Sequence, residues 1–79
     1  MKKPSIGRIV IYNTTQKEQE TLSNLSCNSS KQLPAIVVAV WSETTINAKV
    51  FIDGLHIDEW KTRITQGDEP GQWNWPVMQ

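Results

Sequence analysis

Histidine and cysteine each occur once in these 79 residues, as His56 and Cys27. A single cysteine excludes an internal disulfide. With no histidine or basic pair beside it, Cys27 reads as an ordinary free thiol. His56 and Cys27 fall in different polar segments, which argues against a Ser–His–Asp or Cys–His arrangement. No Cys/His cluster is present that could hold zinc. The four glycines are dispersed, so no phosphate-cradling loop is written into the chain. Net charge is also missing. Eight basic and eight acidic residues cancel, which removes any general attraction to a nucleic-acid polymer or an anionic membrane. No apolar stretch approaches the ~20 residues of a membrane-spanning helix. Met1-Lys2-Lys3-Pro4 leads into a polar-interrupted run rather than a leader's apolar segment, so the expected location is the cytoplasm. Asp53, Asp58 and Glu59 are close in sequence, but turn and edge solvation accounts for them. The expectation is a protein without enzymatic activity, metal or cofactor.

A chain of this length forms one domain, residues 1–79, and buries only ~60% of its unfolded surface, so it gains much from self-association. The charge balance hides an asymmetry. Residues 1–49 hold six Lys/Arg against three Asp/Glu and residues 50–79 two against five, so the halves carry +3 and −3. Such halves can pair within a subunit or between subunits.

Hydrophobic periodicity then places the elements. Residues 5–12 form a β-rich run with Ile6, Arg8, Val10 and Tyr12 on one face, and Gly7 marks a bulge or a close approach. Residues 13–33 are polar. Thr15 with Glu18 three residues on makes a capping box, and Leu22 and Leu25 at i, i+3 predict a short helix within 15–25, followed by a loop. Residues 34–41 are apolar on both faces and read as a central strand. Residues 46–53 alternate, with Ile46, Ala48, Val50 and Ile52 inward and Asn47, Lys49, Phe51 and Asp53 outward. Asp53-Gly54 is the clearest turn signal. Residues 60–65 put Trp60, Thr62 and Ile64 on one face and Lys61, Arg63 and Thr65 on the other. Near the end, Trp73 and Trp75 stand at i, i+2 between Gly71 and Pro76, so an extended backbone projects both rings from one face. They either close the core or form a binding face. The fold class is mainly β: a small bent sheet or SH3-like barrel of about five short strands.

Planar rings beside cations are the remaining chemistry. Tyr12, Trp41, Phe51, Trp60, Trp73 and Trp75 accompany Arg8, Lys49, Lys61 and Arg63 in a chain of no net charge. Stacking of a base on an aromatic ring is worth ~1–3 kcal/mol, and arginine adds charge-assisted bonds to phosphate. A few focused cations match a small nucleotide better than a long polyanion. On that argument the ligand-binding candidates are Arg8, Tyr12, Lys49, Phe51, Arg63, Trp73 and Trp75.

Four blocks also resemble a widespread group of very small phage proteins. They are Gly7 to Tyr12, Pro34 to Trp41, Val50 to Gly54, and the pattern Gly67, Gly71, Trp73, Trp75, Pro76, the most specific of the four. The resemblance extends over about two thirds of the chain, leaving out residues 13–33 and 55–59. The group includes sponge proteins of the anti-CBASS type, which sequester the cyclic-nucleotide signals of bacterial immunity. The resemblance implies a phage-encoded, non-enzymatic homo-oligomer in the host cytoplasm, with a cyclic dinucleotide or related nucleotide buried near a subunit interface. It assigns no contact residue individually. The alternative is a small SH3-like interaction or virion-assembly module that uses the same aromatics to hold a peptide or another protein.

Overall fold

A computed structural model of the chain describes residues 3–25, 29–54 and 58–77. Cys27 and His56 lie outside the described residues, as does part of the loop expected after the helix. Six elements follow one another: β1 (Ile9–Asn13), α1 (Gln16–Asn24), β2 (Gln32–Val40), β3 (Thr45–Val50), β4 (Glu59–Thr65) and β5 (Trp73–Asn74). The strands form one antiparallel sheet in the order β4-β3-β2-β1-β5. The sheet curls into a half-barrel, as the alternation predicts. Its two edge strands meet at one end, where Gln66, just after β4, bridges to Trp73. There the Gly67 N–H donates to the Trp73 carbonyl at 2.9 Å, and the Gln66 N–H donates to the Thr44 carbonyl at 2.8 Å.

The concave face is the core. Val10 and Tyr12 from β1, Leu33, Ala35 and Val37 from β2, and Ile46, Ala48 and Val50 from β3 are buried together with Ile64, Leu22 and Trp73. Registers explain the set: Val10 faces Ala35, Ala35 faces Val50, and Tyr12 faces both Leu33 and Trp73. Alternate residues on neighbouring strands therefore share one side of the sheet.

Helix α1 contributes a single buried side chain, Leu22, so apolar packing alone holds it weakly. Its capping box is complete. The Thr15 hydroxyl accepts from the Glu18 N–H at 3.1 Å, and the Glu18 carboxylate accepts from the Thr15 N–H at 2.8 Å. Two of the helix's orphan donors are thereby satisfied.

Two strand expectations need correction, those for β1 and β4. Residues 5–8 make a turn, in which the Arg8 N–H donates to the Ser5 carbonyl at 3.1 Å, so β1 begins at Ile9 and Ile6 is 72% exposed. Gly7 has a positive φ of 93°. Its N–H donates to the Val37 carbonyl at 2.8 Å while the Val37 N–H donates to the Arg8 carbonyl at 3.0 Å, so Gly7 and Arg8 together oppose Val37 as the bulge that the glycine marks. β2 is central in the sheet, as expected, but only one of its faces is covered, and Val38 remains exposed. In β4 the face assignment breaks midway: Lys61 opposes Ala48 and Ile64 opposes Ile46, so Thr62 and Arg63 together stand against Asn47. That additional residue is a β-bulge, which puts Lys61 and Ile64 on the same inner side.

Candidate ligand-binding surface

Asn47 is the residue around which the outer surface of the sheet is irregular. On one side, Val37 and Ala39 of β2 oppose Ala48 and Asn47, so Val38 is an additional residue in β2. On the other side lies the β4 bulge. Asn47 thus sits between two bulges. The alternation predicts it outward, and outward it is, yet it is buried because two groups close over it. The Trp41 indole N–H and the Arg63 backbone N–H both donate to its Oδ1, each at 2.8 Å. Arg63 has φ 50°, the one positive value at a non-glycine position among the described residues. Its guanidinium lies over the Trp41 ring, 4.8 Å from the centroid. Trp41 is 56% exposed, so this cation–aromatic pair is open to solvent.

A second pair joins Arg8 to Trp75. The guanidinium stands 5.5 Å from the ring centroid. Trp75 in turn meets Trp73 edge-on, with centroids 5.3 Å apart and planes at 84°. The two adjacent tryptophans divide the roles left open by their spacing. Trp73 is fully buried and its indole N–H donates to the Thr44 carbonyl at 3.0 Å, so it closes the core and offers no face to a ligand. Trp75 is half-buried, and beside it runs a shallow groove lined by Ile11, Asp68, Asn74, Pro76 and Val77.

Tyr12 is likewise an interior residue. Its hydroxyl donates to the Glu18 carboxylate, with the two oxygens at 2.8 and 3.1 Å. Lys61 forms an ion pair with the same carboxylate and stands over the Tyr12 ring at 5.7 Å. Burial and the Glu18 carboxylate push the Tyr12 phenol well above its ordinary pKa. Burial also pushes the Glu18 carboxyl up, but bonds from Lys61, the Thr15 N–H and the Tyr12 hydroxyl outweigh it and hold the group below its ordinary value. A cavity of about 180 Å³ beside this trio is lined by apolar side chains, among them Leu22, Leu33 and Val50, and by the charged Lys17, Glu59 and Lys61. None of the exposed arginine–tryptophan pairs borders it.

Lys49 and Phe51 lie on the outer face. Pairing across the sheet sets Ile9, Ile36, Lys49 and Trp60 in one row. Ile9 is 50% exposed and Trp60 60%. The seven candidates therefore do not converge. Tyr12 and Trp73 are inside, Arg8 pairs with Trp75, and Arg63 joins Lys49 and Phe51 on the outer face. Trp41 and Asn47 are the participants that the candidate set omits. Trp41 carried a signal, an indole ending an apolar run just before a turn; Asn47 carried none beyond an ordinary polar outward position. Among the described residues no three His, Cys, Asp or Glu side chains converge, and no helix is long and apolar enough to cross a membrane. No protein-family model, curated protein or solved structure matches this chain.

Proposed function

We propose that the protein is a non-enzymatic binder of a small nucleotide, of the cyclic dinucleotide kind. It acts as a sponge that withholds an immune signal in the cytoplasm of a phage-infected bacterium. The observation that carries the reading is the pair of arginines laid against tryptophans, Arg63 on Trp41 and Arg8 on Trp75. Neither arginine lies within ion-pair distance of a carboxylate among the described residues. A guanidinium oriented by a ring but not neutralised keeps its donors for phosphate, and the ring offers a surface for a base. A protein that competes with a receptor for a scarce signal needs a Kd of about 1 nM, roughly −12 kcal/mol. One stacked indole and one arginine fall short of that once ordering costs are included. Symmetry-related contacts from a second subunit double them, and the exposed Ile9, Trp60 and Phe51 supply apolar surface for such an assembly. Isothermal titration with a panel of cyclic dinucleotides tests the reading, followed by heat denaturation and chromatography of the released ligand. Nanomolar binding and intact ligand are expected. Absence of binding across the panel refutes it, and a hydrolysed product would replace the sponge with an enzyme.

A second reading has its own observation. The row Ile9, Ile36, Lys49 and Trp60 on the uncovered sheet face, apolar at all positions but Lys49, suits a protein-interaction or virion-assembly module. A protein that binds no nucleotide but retains a defined macromolecular partner would fit that class.

A further inference from the structure

Arg63 occupies a backbone position that suits glycine. A left-handed φ of 50° is uncommon for a residue with a Cβ, and bulge positions of this conformation ordinarily take glycine at no steric cost. Strain of this kind persists where surrounding bonds over-determine it, and it concentrates at functional sites. Here the over-determination is visible. Asn47 Oδ1 holds the Arg63 backbone N–H and the Trp41 indole N–H at the same 2.8 Å, and Asn47 is itself only 8% exposed. The indole has no other polar atom, so this bond fixes the orientation of a ring that is otherwise open to solvent. The guanidinium resting on that ring takes no part in the Asn47 bonds. It is the unencumbered end of a rigid unit.

Resting on the nucleotide reading above, we infer that Asn47 is the positioning residue of the binding site. It locks Trp41 and Arg63 into one preformed unit that receives a phosphoryl group on the guanidinium and the attached base on the indole. Preorganisation removes the rotamer cost that a free arginine and a free tryptophan would incur on binding. Lys49 stands two residues along β3 on the same face, roughly 7 Å from Asn47 by strand geometry, and adds a second cation for a ligand with two phosphates. The Arg8–Trp75 pair is the poorer phosphate site, because the Asp68 carboxylate lines the groove that Trp75 borders and repels an anion. The assignment also explains why arginine stands where glycine would relieve strain: the side chain, not the backbone, is what the position retains.

Two substitutions separate this inference from the wider reading. Arg63→Gly removes the guanidinium and the strain together, so the melting temperature should hold or rise by a few degrees while affinity falls at least tenfold. Asn47→Asp keeps the shape and the acceptor for both N–H groups but sets a negative charge beside the phosphate position, and should weaken binding at least tenfold in a folded protein. The direct readout is the Trp41 indole N–H resonance, identified with Trp41→Phe and followed in ¹H–¹⁵N spectra during titration with cyclic di-AMP, cyclic di-GMP and cyclic GMP–AMP. Inorganic phosphate and adenosine serve as half-ligands. The expected result is a large shift of that resonance with the bound dinucleotide and smaller shifts with the halves. If a dinucleotide binds while the Trp41 resonance stays put and both variants keep wild-type affinity, the inference is wrong and the nucleotide reading survives through Arg8 and Trp75. If Arg63→Gly lowers the melting temperature and binding falls only with the folded fraction, Arg63 is structural and the inference is overturned. If no probe binds the wild type, both readings fall together.

Discussion

Two places in this molecule bring a cation, an aromatic ring and an oxygen acceptor together, and they differ in what happens to the charge. Beneath α1, Lys61 stands over the Tyr12 ring and is neutralised by Glu18, which also takes the Tyr12 proton donor and caps the helix. On the outer face, Arg63 stands over the Trp41 ring, and the acceptor Asn47 is neutral and engages the backbone and the indole instead. The first arrangement is closed: its groups satisfy one another and tie the helix to the sheet. The second leaves a fixed guanidinium without a counter-charge among the described residues. Residue types alone do not separate a structural cluster from a binding site. What differs is the fate of the cation's charge: an interior must cancel it, and the proposed binding of a phosphate requires that it be kept.

The largest effect should come from contrasting Trp73 with Trp41, the two tryptophans whose indole N–H groups are bonded on opposite sides of the sheet. Trp73→Ala should cost about 3–5 kcal/mol, enough to unfold most of so small a protein. Trp41→Ala should cost about 1 kcal/mol or less, since the ring is more than half exposed. Urea denaturation measures both, and equal losses would erase the distinction between inner and outer regions.

Next in size is the pair Lys61→Met and Arg63→Gln. Removing Lys61 strands the partly buried Glu18 carboxylate and should destabilise by about 1–2 kcal/mol at neutral pH. Arg63→Gln should stay within about 0.5 kcal/mol in stability while weakening nucleotide binding. The reverse pattern would exchange the roles of the two clusters. A third variant isolates the closed cluster's hold on α1. Thr15→Ala removes one half of the capping box and should cost about 1 kcal/mol, with helical circular dichroism lost before the sheet signal.

The smallest effects lie in pH dependence, and only the closed cluster should show them. Glu18 has a pKa lowered by folding, so it contributes stability above its unfolded value that is lost as pH falls through the folded value. Stability should therefore decline from about pH 5 downward, and Glu18→Gln should flatten that slope. Tyr12 has its pKa raised by folding. Its contribution is present below the unfolded value of about 10 and declines as pH rises beyond it, because the unfolded phenol ionises first. Tyr12→Phe should flatten the alkaline decline. Neither limb should respond to Arg63→Gln; a response would show that the outer cluster is electrostatically tied to the interior.

Much of the scaffold was legible because its determinants are local. The alternation of Ile46, Ala48 and Val50 sets the inner face of β3, and Thr15 with Glu18 starts α1 through bonds three residues apart. The closing tryptophan segment was legible as well, since Gly71 and Pro76 bound a stretch too short for anything but an edge strand. Local signals do not report which of two neighbouring rings is covered. Trp73 is buried because Tyr12 pairs with it and Thr44 receives its N–H from 29 residues away. Trp75 lies one residue past the end of the strand and so stays half open.

The amino-acid order by itself thus determined the sequence of strands and helix and the inner face of β3, because period-two alternation and capping act between residues a few positions apart. The tertiary structure alone decided the register on either side of Asn47. One additional residue in β2 and one in β4 break the alternation, turning Lys61 inward beside Glu18 and leaving Arg63 outward on Trp41. Bulges are properties of a pair of strands, and the bond that fixes this one joins Asn47 to a backbone N–H 16 residues away. No periodicity read along a single strand contains that information.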